Sequence, residues 1–416
     1  MSNKINKLVL ILSIVCLFIS NIYAQGTWEV FTKDNGLKTN SIHQIFKDSS
    51  GNLWFITAQK GITKYDGKNW TNYFSKGTWD QTTFFEDSKG TVWYGARSTD
   101  YVQANGIWKL TGDNFERIIR IGVNFIDEDS DGRIWFGGKK LCSYDGVSVT
   151  EYSKKELGDN QITALYIDSS DDIWVGTRSG VVKYDGKNWI QFSDQLKSLK
   201  CSVNSIIADT NGNIWLGTED GIFKFDGVNW THFTAKDGLV ANGTLMLRID
   251  TRNKIYAIAG KPVKQGIRII SFSDDFKAIF AKFRLSTFDG KKWNPFSDVA
   301  GVPDNIGAFY IEDKSGNLWF NSKDKTIYKF DGKIWSSYNE TNGFKSNWFS
   351  DVFEDSMGNY WFGGSGIEKF DGENWSQFNK DTGLPSNNIT SIMEDNDGNI
   401  WFGTLKGIVK YKQDMQ

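Results

Sequence analysis

At 416 residues, the chain is long enough for two or three ordinary domains or one large all-β unit, and its net charge of -2 offers no polybasic surface for nucleic acid or anionic membrane. Hydrophobic residues at 39% and charged residues at 24% fit a globular protein. The 18 Trp and 30 Phe, beside 42 Gly and only 4 Pro, suit many short strands joined by tight turns.

The first segment reads as a secretory signal peptide over residues 1–24. Lys4 and Lys7 form a positive start, "LVLILSIVCLFIS" (Leu8 to Ser20) an apolar run, and "IYAQ" offers cleavage after Ala24. The run is short for a membrane span, with an uncleaved anchor as the rival reading. Cys16 invites a lipid anchor, but Val15 precedes it where a small residue is wanted.

From Lys38 to Ser75 one complete unit follows. "TNSIHQIFKD", "LWFIT", "ITKY" and "WTNYF" are short apolar or alternating strands, separated by "SSGN", "AQKG" and "DGKN". The aromatic of "LWFIT" then recurs as Trp54, Trp93, Trp135, Trp174, Trp215, Tyr256, Trp319, Trp361 and Trp401. The step is about forty residues, the length of a four-stranded propeller blade. "Asp-x-x-Gly-x-x-Trp" recurs, as at Asp48/Gly51/Trp54, Asp129/Gly132/Trp135, Asp209/Gly212/Trp215 and Asp395/Gly398/Trp401. Its Asp and Gly shape a hairpin turn, and its Trp is a wedge between neighbouring sheets. Trp70, Trp189, Trp230, Trp293, Trp335 and Trp375 on the fourth strand are read the same way.

Some units depart from the pattern. The second has "LTGDNF" (Leu110 to Phe115), the third has Val149 where Trp is expected, and the fourth has Asp171 in place of the turn glycine; looser packing is expected there. Between Tyr256 and Trp319 an insertion at 257–286 adds about twenty residues to the period. Within it "IRIISF" reads as a strand, and "SDDFKAIFAKF" as a capped helix or a second strand. The last unit stops after its third strand, while "GTWEVFTKDNGL" at the start of the mature chain matches the missing fourth. Trp28 to Phe31 should therefore pair with Gly407 to Tyr411 and close a ring, leaving no open edge. The prediction is an all-β fold, 25–416, a single propeller of nine blades, or eight if the Tyr256 unit is something else.

"DNDGNIWFGTLKGIVKY" (Asp395 to Tyr411), "YNETNGFKSNWFSDVFEDSMGNYWFGG" (Tyr338 to Gly364) and "NKDTGLPSNNITSIMEDNDGN" (Asn379 to Asn399) resemble two-component regulator propeller repeats. That resemblance covers nearly the whole mature chain. It implies a periplasmic sensor-type propeller of the kind found in hybrid histidine kinases, and a membrane sensor kinase as partner. The family's sensors continue into membrane, kinase and regulator segments that are not seen up to Gln416, so a free-standing propeller is expected.

In such a ring, the loops from second to third strand and from blade to blade share one face, and the uniform turns share the other. Specificity is expected on the variable face. Its candidate ligand-binding residues are Trp79, Arg97, Tyr101, Lys140, Arg178, Glu219, Lys323, Trp348 and Lys406. Asn40, Asn160, Asn242, Asn305, Asn347 and Asn387 repeat at the start of the first strand, either bonding their own backbone or ringing a polar mouth.

Only His43 and His232 are present, on an inner and an outer strand, which argues against a shared metal or general-base site. No catalytic residue, metal or cofactor is assigned. Streptogramin-lyase-like propellers, similar in their "DxxGNxWF" wording, supply the enzymatic alternative, and a surface adhesion module is another. Cys142 and Cys201 fall at non-equivalent positions, and whether they pair is open. The expectation is a secreted or periplasmic binding propeller, without membrane insertion after cleavage. Its ligand would be polar, such as an oligosaccharide, or a protein partner.

Overall fold

The computed structural model describes residues 26–57, 61–73, 81–97, 105–159, 161–192, 201–259, 284–296, 301–303, 306–322, 324–346 and 349–413. Residues 1–25, which include the segment expected to be a signal peptide, and the part of the expected insertion from 260 to 283 lie outside them.

Each unit forms a four-stranded antiparallel sheet, and there are nine. In blade one the strands are Ile42–Lys47, Leu53–Thr57, Gly61–Tyr65 and Trp70–Tyr73, paired in that order. The second strands, such as Leu53–Thr57, Ile173–Thr177 and Ile400–Thr404, are buried at every position. Both faces of each are covered by adjoining blades, which is why these segments are apolar throughout rather than alternating. The Tyr256 unit is a complete blade: Thr244–Ile249, Ile255–Ala259, Arg284–Phe288 and Trp293–Pro295 pair in order, so the eight-blade alternative falls. Its second strand runs to Ala259 and its third starts at Arg284, placing the insertion between those two strands.

Blade nine is shared between the two ends of the chain. Thr27–Phe31 pairs antiparallel with Gly407–Lys412, with Trp28 opposite Tyr411 and Phe31 opposite Ile408. Trp28 packs among Phe378, Phe402 and Tyr411 at centroid distances of 4.8, 6.0 and 4.5 Å.

The wedge tryptophans form the core. Trp54, Trp93, Trp135, Trp174, Trp215, Trp319, Trp361 and Trp401 are all at most 1% exposed. Burial of one such ring is worth about 5 kcal/mol of gross transfer energy. Each indole Nε1–H donates to the Asp six residues earlier, from Trp54 on Asp48 (2.8 Å) to Trp401 on Asp395 (2.7 Å). In blade six the Tyr256 hydroxyl donates to Asp250 instead, at 3.1 Å. The same carboxylates accept turn amides, as Asp48 does from Asn52. A third-strand lysine covers most of these rings, Lys410 over Trp401 at 4.9 Å and Lys369 over Trp361 at 5.0 Å among them.

Around the central channel, polar residues of the inner strands stitch blade to blade. Thr163 Oγ1 donates to Val203 O, Asn204 Nδ2 to Thr244 O, Ser350 Oγ to Ile389 O, and Thr390 Oγ1 to Ile42 O across the seam. These donors occupy the bulged second position of each inner strand, where the register shifts by one residue. One residue further, Ser391 Oγ accepts from Ile45 N–H, Ser205 Oγ from Leu247 N–H and Asp351 from Ile392 N–H. Cys142 and Cys201 are not joined by a disulfide. Burial pushes the Cys142 thiol up to about 12, so it behaves as a small apolar core group.

Candidate functional site

The second and third strands of several blades are joined by the same short turn. Thr177, Thr218 and Thr404 end the second strands, and each Oγ1 donates to the carbonyl of Gly180, Gly221 or Gly407 at 3.0, 2.9 and 2.8 Å. The same oxygens accept from Ser179, Asp220 and Lys406 N–H. Those glycines lie at φ of 140°, 120° and 137°. A Cβ on Gly221 would stand 2.3 Å from Phe233 O. The threonine and glycine thus lock the turn, and the two residues between them are held out at its tip.

Arg178, Glu219 and Lys406 occupy these tips, exposed, and among the described residues none has a side-chain partner. Lys140 is also exposed on the loop of blade three, but its Nζ is held at 2.5 Å by Glu151 of the outer strand. That contact raises the lysine's pKa through hydrogen bonding and charge, and reduces its freedom to meet a ligand. Arg97 ends the second strand of blade two, and only its backbone is described. Trp79, Tyr101, Lys323 and Trp348 lie outside the described residues, so four of the nine candidates are brought to one face in detail.

The repeated asparagines have a local role. Asn40, Asn242 and Asn387 accept from Lys33, Ala235 and Lys380 N–H, each at 2.8 Å. These amides open short 3₁₀ turns linking consecutive blades, such as Lys33–Asn35 and Lys380–Thr382, which Thr32 and Asn379 cap. The bonded oxygens build the connection rather than face a ligand. Asn160, Asn305 and Asn347 lie outside the described residues.

His43 is exposed on the inner strand of blade one, and His232 lies on the outer strand of blade five. The His232 ring stacks on Phe223 with centroids 4.0 Å apart, and its Nε2 is 2.7 Å from Asp220 O. It therefore buttresses the Glu219–Asp220 tip. Among the described residues, no group of three or more His, Cys, Asp or Glu side chains is placed to hold a metal ion. No helix among them is long and apolar enough to cross a membrane.

The opposite face carries a second regularity, which the sequence reading missed. At most junctions the residue after the turn Asp bonds the next blade. Ser49 N–H and Oγ both donate to Glu86, at 2.7 and 2.6 Å, and Ser88 likewise to Glu128. Thr251 bonds Glu312, Lys314 N–H bonds Glu354, and Ser356 bonds Glu394. The legible signal was a Glu immediately before the turn Asp in these blades. Blades four and six have Ile167 and Ile249 there instead. In both, the turn glycine is replaced by a residue at positive φ that takes over the bond. Asp171 (φ 67°) accepts from Ser130, and Asn253 (φ 62°) from Thr210. Asp171 is therefore a compensating clamp and not a sign of loose packing. On the same face, a cavity of about 420 Å³ opens over blades four to six.

The two component regulator propeller family description matches residues 36–59, 156–179, 199–220 and 383–406. A search of the curated proteins finds no match. Several solved structures are similar. One is the extracellular domain of the one-component system BT4673 from B. thetaiotaomicron, at 18% identity over 93% of this chain and 66% of that one, with a TM-score of 0.29. Another is PorZ, a surface component of the type-IX secretion system of Porphyromonas gingivalis, at 15% identity over 90% and 69%, TM-score 0.40. A third is virginiamycin B lyase from Staphylococcus aureus, at 12% identity over 94% and 100%, TM-score 0.42. At these levels the likenesses carry nothing about ligand or activity. The chain is thus a nine-bladed ring, closed through a shared blade, with four segments that match two-component regulator propeller repeats.

Proposed function

We propose that the protein is a secreted or periplasmic ligand-binding propeller, acting in sensing or as an interaction scaffold. Its ligand, polar and of oligosaccharide type or a protein partner, meets the face of second-to-third-strand loops. The observation that carries this reading is the contrast between the two sets of repeated positions. The Trp, Asp, Lys and Asn of the repeat are consumed by packing and hydrogen bonds, whereas Arg178, Glu219 and Lys406 have no side-chain partner among the described residues and stand on locked turns. A turn whose backbone is already locked spares the cost of ordering the loop on binding and leaves only the side chain's own freedom to be lost. Trp79, Arg97, Tyr101, Lys140, Lys323 and Trp348 are proposed as further members of this rim. The signal would pass to a membrane sensor kinase, in keeping with the repeat family. A glycan array with the exported chain, followed by the variant Arg178→Ala/Glu219→Ala/Lys406→Ala, tests this. Defined sugar binding that the triple variant loses by tenfold or more supports it. Binding that the variant retains places the ligand elsewhere, and release of a cleaved product would make the chain an enzyme.

A further inference from the structure

The clamp between adjacent blades is missing at one interface where space is left for it. At the junction of blades four and five, Ser169 is the residue that follows the turn Asp. It corresponds to Ser49, whose N–H and Oγ both hold a carboxylate. The position that supplies Glu86 in blade two is Ala208 here, and the position that supplies Asp171 in blade four is Gly212. Neither can reach, and among the described residues Ser169 has no hydrogen-bond acceptor for its N–H or hydroxyl. The vacancy is the 420 Å³ cavity, which both Ala208 and Gly212 line together with Ser169, Tyr166 and Ile249. The junction of blades nine and one also lacks the acid, with Lys47 in the Glu position, but Asn396 lies over Gly51 there and fills the space.

The geometry points to a binding site for a carboxylate in this notch, taken from a ligand in place of the neighbouring blade's Glu. The two donors of Ser169 hold the carboxylate, and Tyr166 and Ile249 offer an apolar wall for the ligand's body. Volume agrees with a small ligand, since binding clefts start at about 300 Å³. Asp168, Asp209 and Asp250 also line the notch, yet their charge does not forbid an anion, and Asp250 is already held by the Arg252 guanidinium, the Lys254 N–H and the Tyr256 hydroxyl. The corresponding Asp48 and Asp87 flank Glu86 in blade two, with their oxygens turned onto Trp54, Trp93 and turn amides. Asp168 is likewise committed to Trp174, Ser170 and Asp172, and Asp209 to Trp215 and Asn213. This site lies on the face opposite the proposed loop rim, so either can fail without the other.

The test is titration of the full propeller, followed by the Ser169 and Thr210 backbone amide signals in NMR. Two matched pairs serve as probes: N-acetylglutamate against N-acetylglutamine, and glucuronate against glucose. The acid of at least one pair should shift both amides saturably while its neutral partner does not, and the pair that responds identifies an amino-acid or a sugar carboxylate. Ala208→Glu should supply the missing clamp internally, weaken acid binding by tenfold or more, and raise the thermal midpoint. Gly212→Asp is the second route to the same occlusion should Ala208→Glu misfold: its new Cβ meets no atom within 4 Å, and although the φ of 79° strains a side chain, Asp171 and Asn253 occupy the corresponding positions at 67° and 62°. Equal response to acid and neutral probes, no response to either acid, or undiminished binding in a folded occluding variant would overturn the proposal.

Discussion

A single carboxylate does three tasks in each blade, and Asp355 shows what removing it should cost. It is fully buried, and its Oδ2 accepts from Trp361 Nε1 at 2.9 Å and from Asn359 Nδ2 at 2.8 Å. Its Oδ1 accepts from Met357 and Asn359 N–H. Asp355→Ala would strand the indole and the backbone and side-chain amides of Asn359 away from water, and a buried unsatisfied donor costs about 1–3 kcal/mol. The variant should lose about 3 kcal/mol or more, read as a lowered urea midpoint, and Trp361→Phe in the same background should recover part of it. Glu368 gives the residue scale its pH dependence. It is 1% exposed on the third strand of blade eight, bonded by Gln377 Nε2 at 3.0 Å. Burial outweighs that bond and the nearby Lys345 and Ser346 amides, pushing the carboxyl up from 4.5 to about 7. The folded state therefore binds the proton more tightly than the unfolded chain. Its contribution is fully present below about pH 4.5 and is lost as pH rises toward 7. Glu368→Gln should remove that loss, so its stability advantage over the parent should be larger at pH 8 than at pH 4.5. An equal difference at the two pH values would refute the assignment.

At the scale of the element, the locked tips make a sharper prediction than the strands. Thr218 both donates to Gly221 O and accepts from Asp220 N–H, while His232 holds the Asp220 carbonyl. Thr218→Val keeps the shape and loses both bonds. The Asp220 amide should then exchange with solvent at least tenfold faster, with little change at the buried second strand. Global destabilisation together with fast exchange everywhere would show that the threonine supports the blade and not the tip. The strands themselves were legible because their signal is repeated: Trp54 and its counterparts average away local ambiguity, and burial on both faces forces the apolar runs. The cross-blade bonds were not legible in the same way. Asp171 looks like a lost glycine until Ser130 of the preceding blade is placed beside it, and the partnership appears only when two repeats are aligned in space. The Trp-to-Asp hydrogen bond was written in a constant six-residue spacing, yet hairpin chemistry alone explained the Asp and concealed it. The rim residues are the least legible, since each occurs once and no repeat rule fixes its role.

For the whole molecule, the decisive feature is that the first described strand is the last blade's outer edge. The ring can be followed around the circle through named bonds: Ser49–Glu86, Ser88–Glu128, Ser130–Asp171, Thr163–Val203, Asn204–Thr244, Thr251–Glu312, Lys314–Glu354, Ser350–Ile389 and Thr390–Ile42. Such a circle is only as continuous as its seam, where Thr27–Phe31 covers Gly407–Lys412 and Lys412 meets Glu29. Trp28 supplies much of that strand's packing, against Phe378 and Tyr411. Trp28→Ala should cost about 3 kcal/mol, the lower end for a large aromatic removed from packed surroundings. Deleting the strand through Phe31 should do more than destabilise. It would uncover the backbone edge of Gly407–Lys412, and an open edge recruits another strand. The deleted protein should therefore self-associate in size-exclusion chromatography, and a peptide spanning Thr27–Phe31 added in excess should return it to the size of the parent. A deleted chain that stays at the parent's size and stability without the peptide would mean that the inner-strand bonds alone hold the ring shut.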